Sequence, residues 1–378
     1  MGNEPDEPAA PPGAASRPMR DTRSMSDRVV ELELSAGAPP VVQRDVIVVG
    51  ASAGGVQALQ GLVAQLPPEL PASVLVVLHL MSAGTSVLDT ILDRAGPMPA
   101  SQAADGERLE RGHVYVAPPD FHLLVRGPTI HLSAGPRENG HRPAVDPLFR
   151  SAARAFGPRV IGVVLSGTLD DGSDGLRLIK EMGGAAVIQD PADAAYPDMP
   201  ENAARHVRPD RTVPLAEMGR ALCDLLDFPL DPAADAEVAD PEGQPVDLVE
   251  VEFGREDPAG APTLLTCPDC GGVMLERDEG GLVRFACQVG HAYSPESLNE
   301  HQGEALESAL WGAIRSLEER ADLLRRMARR AGRSGSDGTV ERLERKAEVA
   351  SGHAGEIRDT VLLLRGVGPG QAEQAEVS

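Results

Sequence analysis

The sequence predicts an α/β protein: a doubly wound, mainly parallel sheet with an antiparallel hairpin, then a small Cys/His module and a C-terminal helical hairpin. Three observations lead there. Between residues 44 and 228, short continuous Val/Ile/Leu runs alternate with amphipathic stretches, the pattern of strands buried on both faces and separated by covering helices. Between 263 and 294, three cysteines and a histidine stand in two turns around a strand. From 295 to 365, two long helical patterns flank a Gly/Ser-rich break.

Taken in order, residues 1–43 are rich in Pro, Ala, Gly and charge, have no sustained hydrophobic period, and are expected to form a disordered tail. Strands are expected at Val46–Val49, Val74–His79, His113–Ala117, Val160–Leu165 and Ala185–Gln189. Helices are expected at Val56–Leu66, Pro147–Phe156, Gly172–Met182 and Leu215–Leu226. His122–Val125 and Thr129–Leu132, joined at Arg126-Gly127-Pro128, read as an antiparallel hairpin added to the sheet. Residues 229–262 turn acidic and rich in Pro, Ala and Asp, as a linker does. The compact module spans 263–294, the helical hairpin 295–365 and a second disordered tail 366–378. In the second long helix Val340, Leu343, Ala347, Ala350, Ala354, Ile357, Val361 and Leu364 are spaced by three and four, a heptad seam. Leu306, Leu310, Ala313, Leu317, Leu324 and Met327 form a less regular stripe in the first. Self-packing of the two stripes is one reading of this hairpin, and a surface for a signalling partner or a dimer is the other.

Composition bounds the function. A chain of 378 residues has room for two or three domains, and 42% hydrophobic with 25% charged residues makes most of it globular. A net charge of -23 argues against nucleic acid or an anionic membrane as a partner. No apolar run approaches the roughly 20 residues of a membrane span, and the N-terminus lacks the apolar core of a secretory signal. A cytoplasmic location without direct membrane insertion is expected. Four cysteines in such a chain suggest metal or free thiols rather than a disulfide frame. Cys223, in a helix with Leu222, Leu225 and Leu226, is expected to be a buried core thiol.

Gly50-Ala51-Ser52-Ala53-Gly54-Gly55 follows the first strand directly and opens a helix. Small residues let the backbone turn sharply and leave the Ser52 hydroxyl exposed at a helix N-terminus, where N–H groups without helical partners can stabilise an oxyanion. The same stretch also suits a phosphate-binding turn or a plain strand-to-helix connection. A serine nucleophile needs a base and the base needs a carboxylate, and in an open α/β sheet these gather at the carboxyl ends of strands. His79 ends the second strand, and Asp170 and Asp171 follow Val160–Leu165. These residues have structural alternatives: His79 as a strand-end histidine, and Asp170, Asp171 and Asp174 as helix caps. A dinucleotide site fits poorly, because Ser52 stands where the middle glycine of Gly-x-Gly-x-x-Gly belongs.

Residues 44–228 resemble the catalytic domain of CheB, the protein-glutamate methylesterase of bacterial chemotaxis. The resemblance rests on Gly50–Gly55, the strand ending in His79-Leu80, Val114-Tyr115-Val116-Ala117-Pro118-Pro119-Asp120, Arg142-Pro143-Ala144-Val145-Asp146-Pro147-Leu148-Phe149, Leu165–Gly172, and Gln189-Asp190-Pro191 with Met199-Pro200. It implies a Ser–His–Asp triad with Ser52 as nucleophile, His79 as base and Asp171 as acid. Asp170 falls on a variable position. Ala53, Gly54 and Thr168 are the expected oxyanion and substrate contacts. The implied reaction is hydrolysis of glutamate methyl esters on a chemoreceptor or receptor-like signalling protein, and some relatives also deamidate glutamine. Two departures lie beside the presumed oxyanion site: Gly167-Thr168-Leu169 where the family commonly has Gly-Met-Gly, and Ala53 where it often has Thr. Only a short tail precedes the catalytic stretch, so control by a phosphoacceptor domain in cis is not expected.

Cys267-Pro268-Asp269-Cys270 and Cys287-Gln288-Val289-Gly290-His291 place three thiols and an imidazole in facing turns, a donor set suited to structural tetrahedral zinc in a zinc-ribbon-like module. A degenerate ribbon without metal and a redox pair are the alternatives. No catalytic cofactor is expected. Three functions stay open at this point: a CheB-like methylesterase, a serine hydrolase with another ester or amide substrate, and a non-catalytic signalling adaptor.

Overall fold

The computed structural model describes residues 42–79, 86–230, 260–279, 281–333 and 337–364. The expected tails, most of the acidic linker and Leu80 of the second-strand motif lie outside the described residues. Seven strands make one wholly parallel sheet: β1 (Val46–Ala51), β2 (Ser73–Leu78), β3 (Ala100–Gln102), β4 (Val114–Val116), β7 (Val160–Val164), β8 (Ala185–Gln189) and β9 (Arg211–Val213), in the order β3-β4-β2-β1-β7-β8-β9. The strand order reverses at β1, whose neighbours are β2 and β7. That is a topological switch point, where an open α/β sheet leaves a crevice beyond its carboxyl ends.

Alternate residues of β1 feed two cores. Ile47, Val49 and Ala51 join a cluster with α1 (Gly55–Val63), α2 (Leu88–Ala95) and α6 (Leu215–Leu226). Val46 and Val48 join another with α3 (Val145–Phe156), α4 (Ser173–Glu181) and α5 (Asp198–His206). Both faces are therefore dry, which is why these strands read as unbroken apolar runs. α2, α5, β3 and β9 are not among the expected elements: Leu88, Ile91, Leu92 and Ala95 of α2 recur at helical spacing over only eight residues, and α5, β3 and β9 are short and carry few apolar residues. The hairpin β5 (His122–Arg126) and β6 (Thr129–Ser133) is antiparallel as expected, but it forms its own two-stranded sheet instead of extending the main one. Leu123, Val125 and Ile130 bury themselves against α3, and Ser151 of that helix accepts the Val125 N–H at 3.1 Å, so side-chain burial wins over edge pairing. Cys223 is half-buried at the margin of its core, not enclosed by it.

The C-terminal part begins with a four-stranded antiparallel sheet of β10 (Ala261–Thr266), β11 (Val273–Glu279), β12 (Leu282–Cys287) and β13 (Ala292–Tyr293). Ser294 then caps α7 (Pro295–Gly332) by accepting the Ser297 N–H at 3.0 Å, and Pro295 occupies the first helical position, where no N–H is needed. α7 and α8 (Asp337–Leu364) pack along Leu310, Ile314, Leu317 and Ala321 on one side and Ala347, Ala350, Ala354 and Val361 on the other. The second seam is the expected one up to Val361, whereas Leu364, Leu306 and Met327 stand exposed. Alanines at the contact admit a close approach that a strict leucine stripe would prevent. Among the described residues, no helix is long and apolar enough to cross a membrane.

Candidate functional site

Ser52 follows β1 at once. Its N–H donates to the Ser166 carbonyl at 3.0 Å, the His79 N–H donates to the Ala51 carbonyl at 3.2 Å, and the Leu165 N–H donates to the Gly50 carbonyl at 2.9 Å. The three adjacent strand ends are thereby knitted together before any side chain is considered. Gly54 has φ 72, the left-handed region glycine tolerates, and a Cβ there would lie 2.9 Å from the Ser166 hydroxyl. Gly167 abuts the serine directly: a Cβ on it would meet Ser52 Cβ at 2.8 Å and Met199 Sδ at 2.0 Å. Thr168, next in the chain, is exposed.

Ser52, His79 and Asp171 come together in one hydrogen-bonded line. His79 Nδ1 lies 3.0 Å from Ser52 Oγ, and His79 Nε2 lies 2.7 Å from Asp171 Oδ2. Asp171 also accepts the Val145 N–H at 2.7 Å, the Asp146 N–H at 3.2 Å and the Asn139 amide at 3.0 Å. Burial alone would raise its pKa, but the hydrogen bond and charge of His79 and the Val145 N–H outweigh it, so the carboxyl sits well below the usual range. An ionised Asp171 can only accept, so His79 carries its proton on Nε2 and offers the Nδ1 lone pair to the Ser52 hydroxyl. The imidazole is turned end for end relative to the more familiar arrangement, in which Nε2 faces the serine. The His79 side chain is only 5% exposed, which keeps bulk water from competing for that bond.

Asp170 points elsewhere, accepting the hydroxyls of Ser294 and Ser297, each at 2.8 Å. Asp174 belongs to a buried ion cluster with Glu138, Arg150 and Arg284.

The sequence reading passed over several residues that shape this site. Asn139 and His141 lie in a tight turn just before the Arg142–Phe149 motif. The His141 ring stacks on His79 with centroids 3.7 Å apart. Burial, then the neighbouring His79 charge, pushes the His141 pKa down to about 3, so it stacks as a neutral ring. Asp146 is fully buried, and desolvation with the charges of Asp171 and Asp174 raises its carboxyl well above the normal value. For Asn139 and His141 the available signal is a polar run between a hairpin and a helix, and Asp146 lies within the Arg142–Phe149 motif at the start of α3.

The Cys/His residues also converge. The ligand atoms of Cys267, Cys270, Cys287 and His291 all lie within 4.8 Å of one another. Cys270 Sγ to Cys287 Sγ, Cys267 Sγ to His291 Nδ1 and Cys287 Sγ to His291 Nδ1 are each 3.6 Å. Zn–S bonds of about 2.3 Å in a tetrahedron give S···S edges of about 3.8 Å, so the donor set fits zinc in size and softness. Burial pushes the Cys267 thiol up to about 12, a cost that a bound cation would remove.

Residues 47–222 match the CheB methylesterase family model. A Methanosarcina mazei protein named protein-glutamate methylesterase/protein-glutamine glutaminase 2 is 41% identical over 191 residues, 48% of this chain and 52% of that protein. A Leptospira interrogans protein, named putative protein-glutamate methylesterase/protein-glutamine glutaminase, is 35% identical over 182 residues, covering 48% of this chain and 94% of that one. The crystal structure of the Thermotoga maritima CheB methylesterase catalytic domain is 30% identical with TM-score 0.47, over 49% of this chain and all of that domain. The chain spans 52% and 61% of the length of the Methanosarcina mazei and Methanosarcina acetivorans relatives.

Proposed function

This chain belongs to the CheB methylesterase family, and from that premise we propose that it is a serine esterase hydrolysing glutamate methyl esters on a chemoreceptor or receptor-like signalling protein in the cytoplasm. The observation that carries the reading is the line of hydrogen bonds from Ser52 through His79 to Asp171 at the switch point of the sheet.

In this reading Ser52 Oγ attacks the ester carbonyl as His79 Nδ1 takes its proton. Asp171 holds the imidazole in the required tautomer and stabilises the imidazolium that forms. The carbonyl oxygen gains negative charge next to the backbone of Ala53 and Gly54 and the Thr168 loop, our candidates for the oxyanion and substrate contacts. The tetrahedral intermediate collapses, Nδ1–H gives its proton to the departing methoxide, and methanol leaves. Water, deprotonated by the same nitrogen, then attacks the acyl-enzyme, and Nδ1–H returns the proton to Ser52 Oγ as free glutamate leaves. The names of the relatives also include glutaminase. Glutamine deamidation runs through the same acyl-enzyme with ammonia leaving, so it belongs to the same proposal.

Cys267, Cys270, Cys287 and His291 are proposed as the ligands of a structural zinc. All four tetrahedral positions would be filled by protein, so the metal takes no part in the chemistry.

Incubation of a radiolabelled methylated receptor fragment with wild type and Ser52→Ala tests the function. Methanol release by wild type alone is the expected result, and release by both proteins would remove Ser52 from the mechanism.

A further inference from the structure

The C-terminal sheet and helix reach into the surroundings of the candidate triad. Arg284 of β12 donates to Asp174 Oδ2 at 2.8 Å and also bonds Glu138, which Arg150 holds from its other side at 2.8 and 2.7 Å. All four side chains are nearly sealed from solvent, between 1% and 12% exposed. Glu138 starts a closed turn: its N–H donates to the His141 carbonyl at 3.1 Å and its own carbonyl accepts the His141 N–H at 2.9 Å. Inside that turn Asn139 takes a left-handed φ of 50, a conformation asparagine adopts more readily than other residues with a side chain except aspartate.

The C-terminal part bonds Asn139 directly. The Asn139 N–H donates to the Ala292 carbonyl at 2.8 Å, and Asn139 Oδ1 accepts the Ser294 N–H at 3.0 Å. A backbone donor on Oδ1 fixes the sense of the amide, so its NH2 must face the other way, toward Asp171 Oδ1 at 3.0 Å and Asp146 Oδ2 at 3.2 Å. His301 of α7 closes over the same turn: a Cβ on Gly140 would lie 1.9 Å from its ring.

We infer that Arg284 is a positioning residue for the triad carboxylate. It acts through the Glu138–Asn139 turn, so that the Cys/His sheet and the start of α7 complete the esterase site. The inference rests on reading Ser52, His79 and Asp171 as a triad. The charges agree with it. Arg150 and Arg284 both bond Glu138 and Asp174, Arg177 holds Asp174 at 3.0 Å as well, and of these three cations Arg284 is the one that comes from the C-terminal sheet. Without it, Glu138 keeps Arg150 alone and the turn presenting Asn139 loses its outer anchor.

Fluorophosphonate labelling of Ser52 in the full chain tests this without knowing the natural substrate. The maximal labelling rate and the half-saturating probe concentration are measured separately for wild type, Arg284→Met, Arg284→Lys, Asn139→Ala and the Asn139→Ala/Arg284→Met pair, each first shown to be folded by its thermal melt. A small misplacement of catalytic groups costs on the order of 10- to 100-fold in rate. Arg284→Met is therefore expected to lower the maximal rate about tenfold or more with half-saturation unchanged. Arg284→Lys recovers most of it, and the pair is no slower than Asn139→Ala alone, because both act along one route. If Arg284→Met does not fold, Arg284→Gln, which keeps hydrogen-bonding capacity but no charge, carries the comparison in both the single variant and the pair, with the same loss expected. An unchanged rate would overturn the inference. A faster one would do so too, making the C-terminal part a cover, and so would losses that multiply in the pair. Labelling of wild type without methanol release would refute the substrate reading and leave this result standing. No labelling of Ser52 at all would refute both.

Discussion

Replacing Asp171 by Asn removes one charge and no volume, and the surrounding donors dictate the consequence. The carboxylate accepts at both oxygens: His79 Nε2 and the Val145 N–H on Oδ2, the Asp146 N–H and the Asn139 amide on Oδ1. An asparagine has one acceptor oxygen, so its NH2 must face two donors whichever way it turns. If the NH2 faces Asp146 and Asn139, a buried N–H clash of about 1–3 kcal/mol results and the backbone shifts. If it faces His79, it donates to Nε2 and drives the imidazole proton onto Nδ1, which then donates to Ser52 and can no longer accept from it. The second orientation disables the base outright. A wrong tautomer in an otherwise intact triad costs roughly 10⁴ in turnover, about 5.4 kcal/mol at 1.36 kcal/mol per factor of ten. Asp171→Asn is accordingly expected to lose three to four decades of methanol release while keeping affinity for the substrate fragment. Stopped assays against wild type over pH 6 to 9 measure it. Activity within about tenfold of wild type would refute the argument that Asp171 sets the tautomer.

Metal analysis of the purified protein should find about one zinc per chain, and prolonged chelation should open residues 260–294 to proteolysis while the parallel sheet survives. Resistance to both chelator and protease would remove the metal from the account. Gly167→Ala places a methyl group on Ser52 Cβ and Met199 Sδ; a displacement of the serine by about 1 Å costs on the order of 100-fold in rate, and turnover within about threefold of wild type would count against the close packing. Acid should destabilise the fold through Asp171, Asp174 and Glu138. Their folded pKa values lie below the unfolded ones, to about 2 for Asp174, so they stabilise above pH 4 and lose that contribution as the pH falls toward 2. Asp146 is raised and opposes them. Urea midpoints should fall from pH 6 to pH 3, and a flat profile would contradict the sign.

Much of the fold is visible in the sequence for a plain reason. Strands such as Val46–Ala51 and Val160–Val164 are buried on both faces, so hydrophobicity alone marks them. That Ser52, His79 and Asp171 come within hydrogen-bonding reach follows from their places after the carboxyl ends of adjacent parallel strands. Asn139 and Arg284 are not legible in that way. Each acquires its meaning from a partner 100 or more residues away, and no spacing or period records such a pairing. The hairpin β5–β6 illustrates another limit: its alternation predicts two strands but not which surface they cover. In α7, counting by threes and fours selected Leu306 and Met327, while the contact settled on Ile314, Ala321 and Ala328, because the distance between two helices is set by their smallest residues.

The contact between Asn139 and Ser294 joins residues 155 apart in the chain. Translation proceeds at about 5–20 residues per second, and domains fold as they emerge. The parallel sheet, whose last strand ends at Val213, can therefore form roughly 4–16 s before Ser294 arrives to grip its turn. During that interval a nascent chain would carry serine, histidine and aspartate without the Ala292 and Ser294 contacts on Asn139, so full competence would be a late event in the life of each molecule.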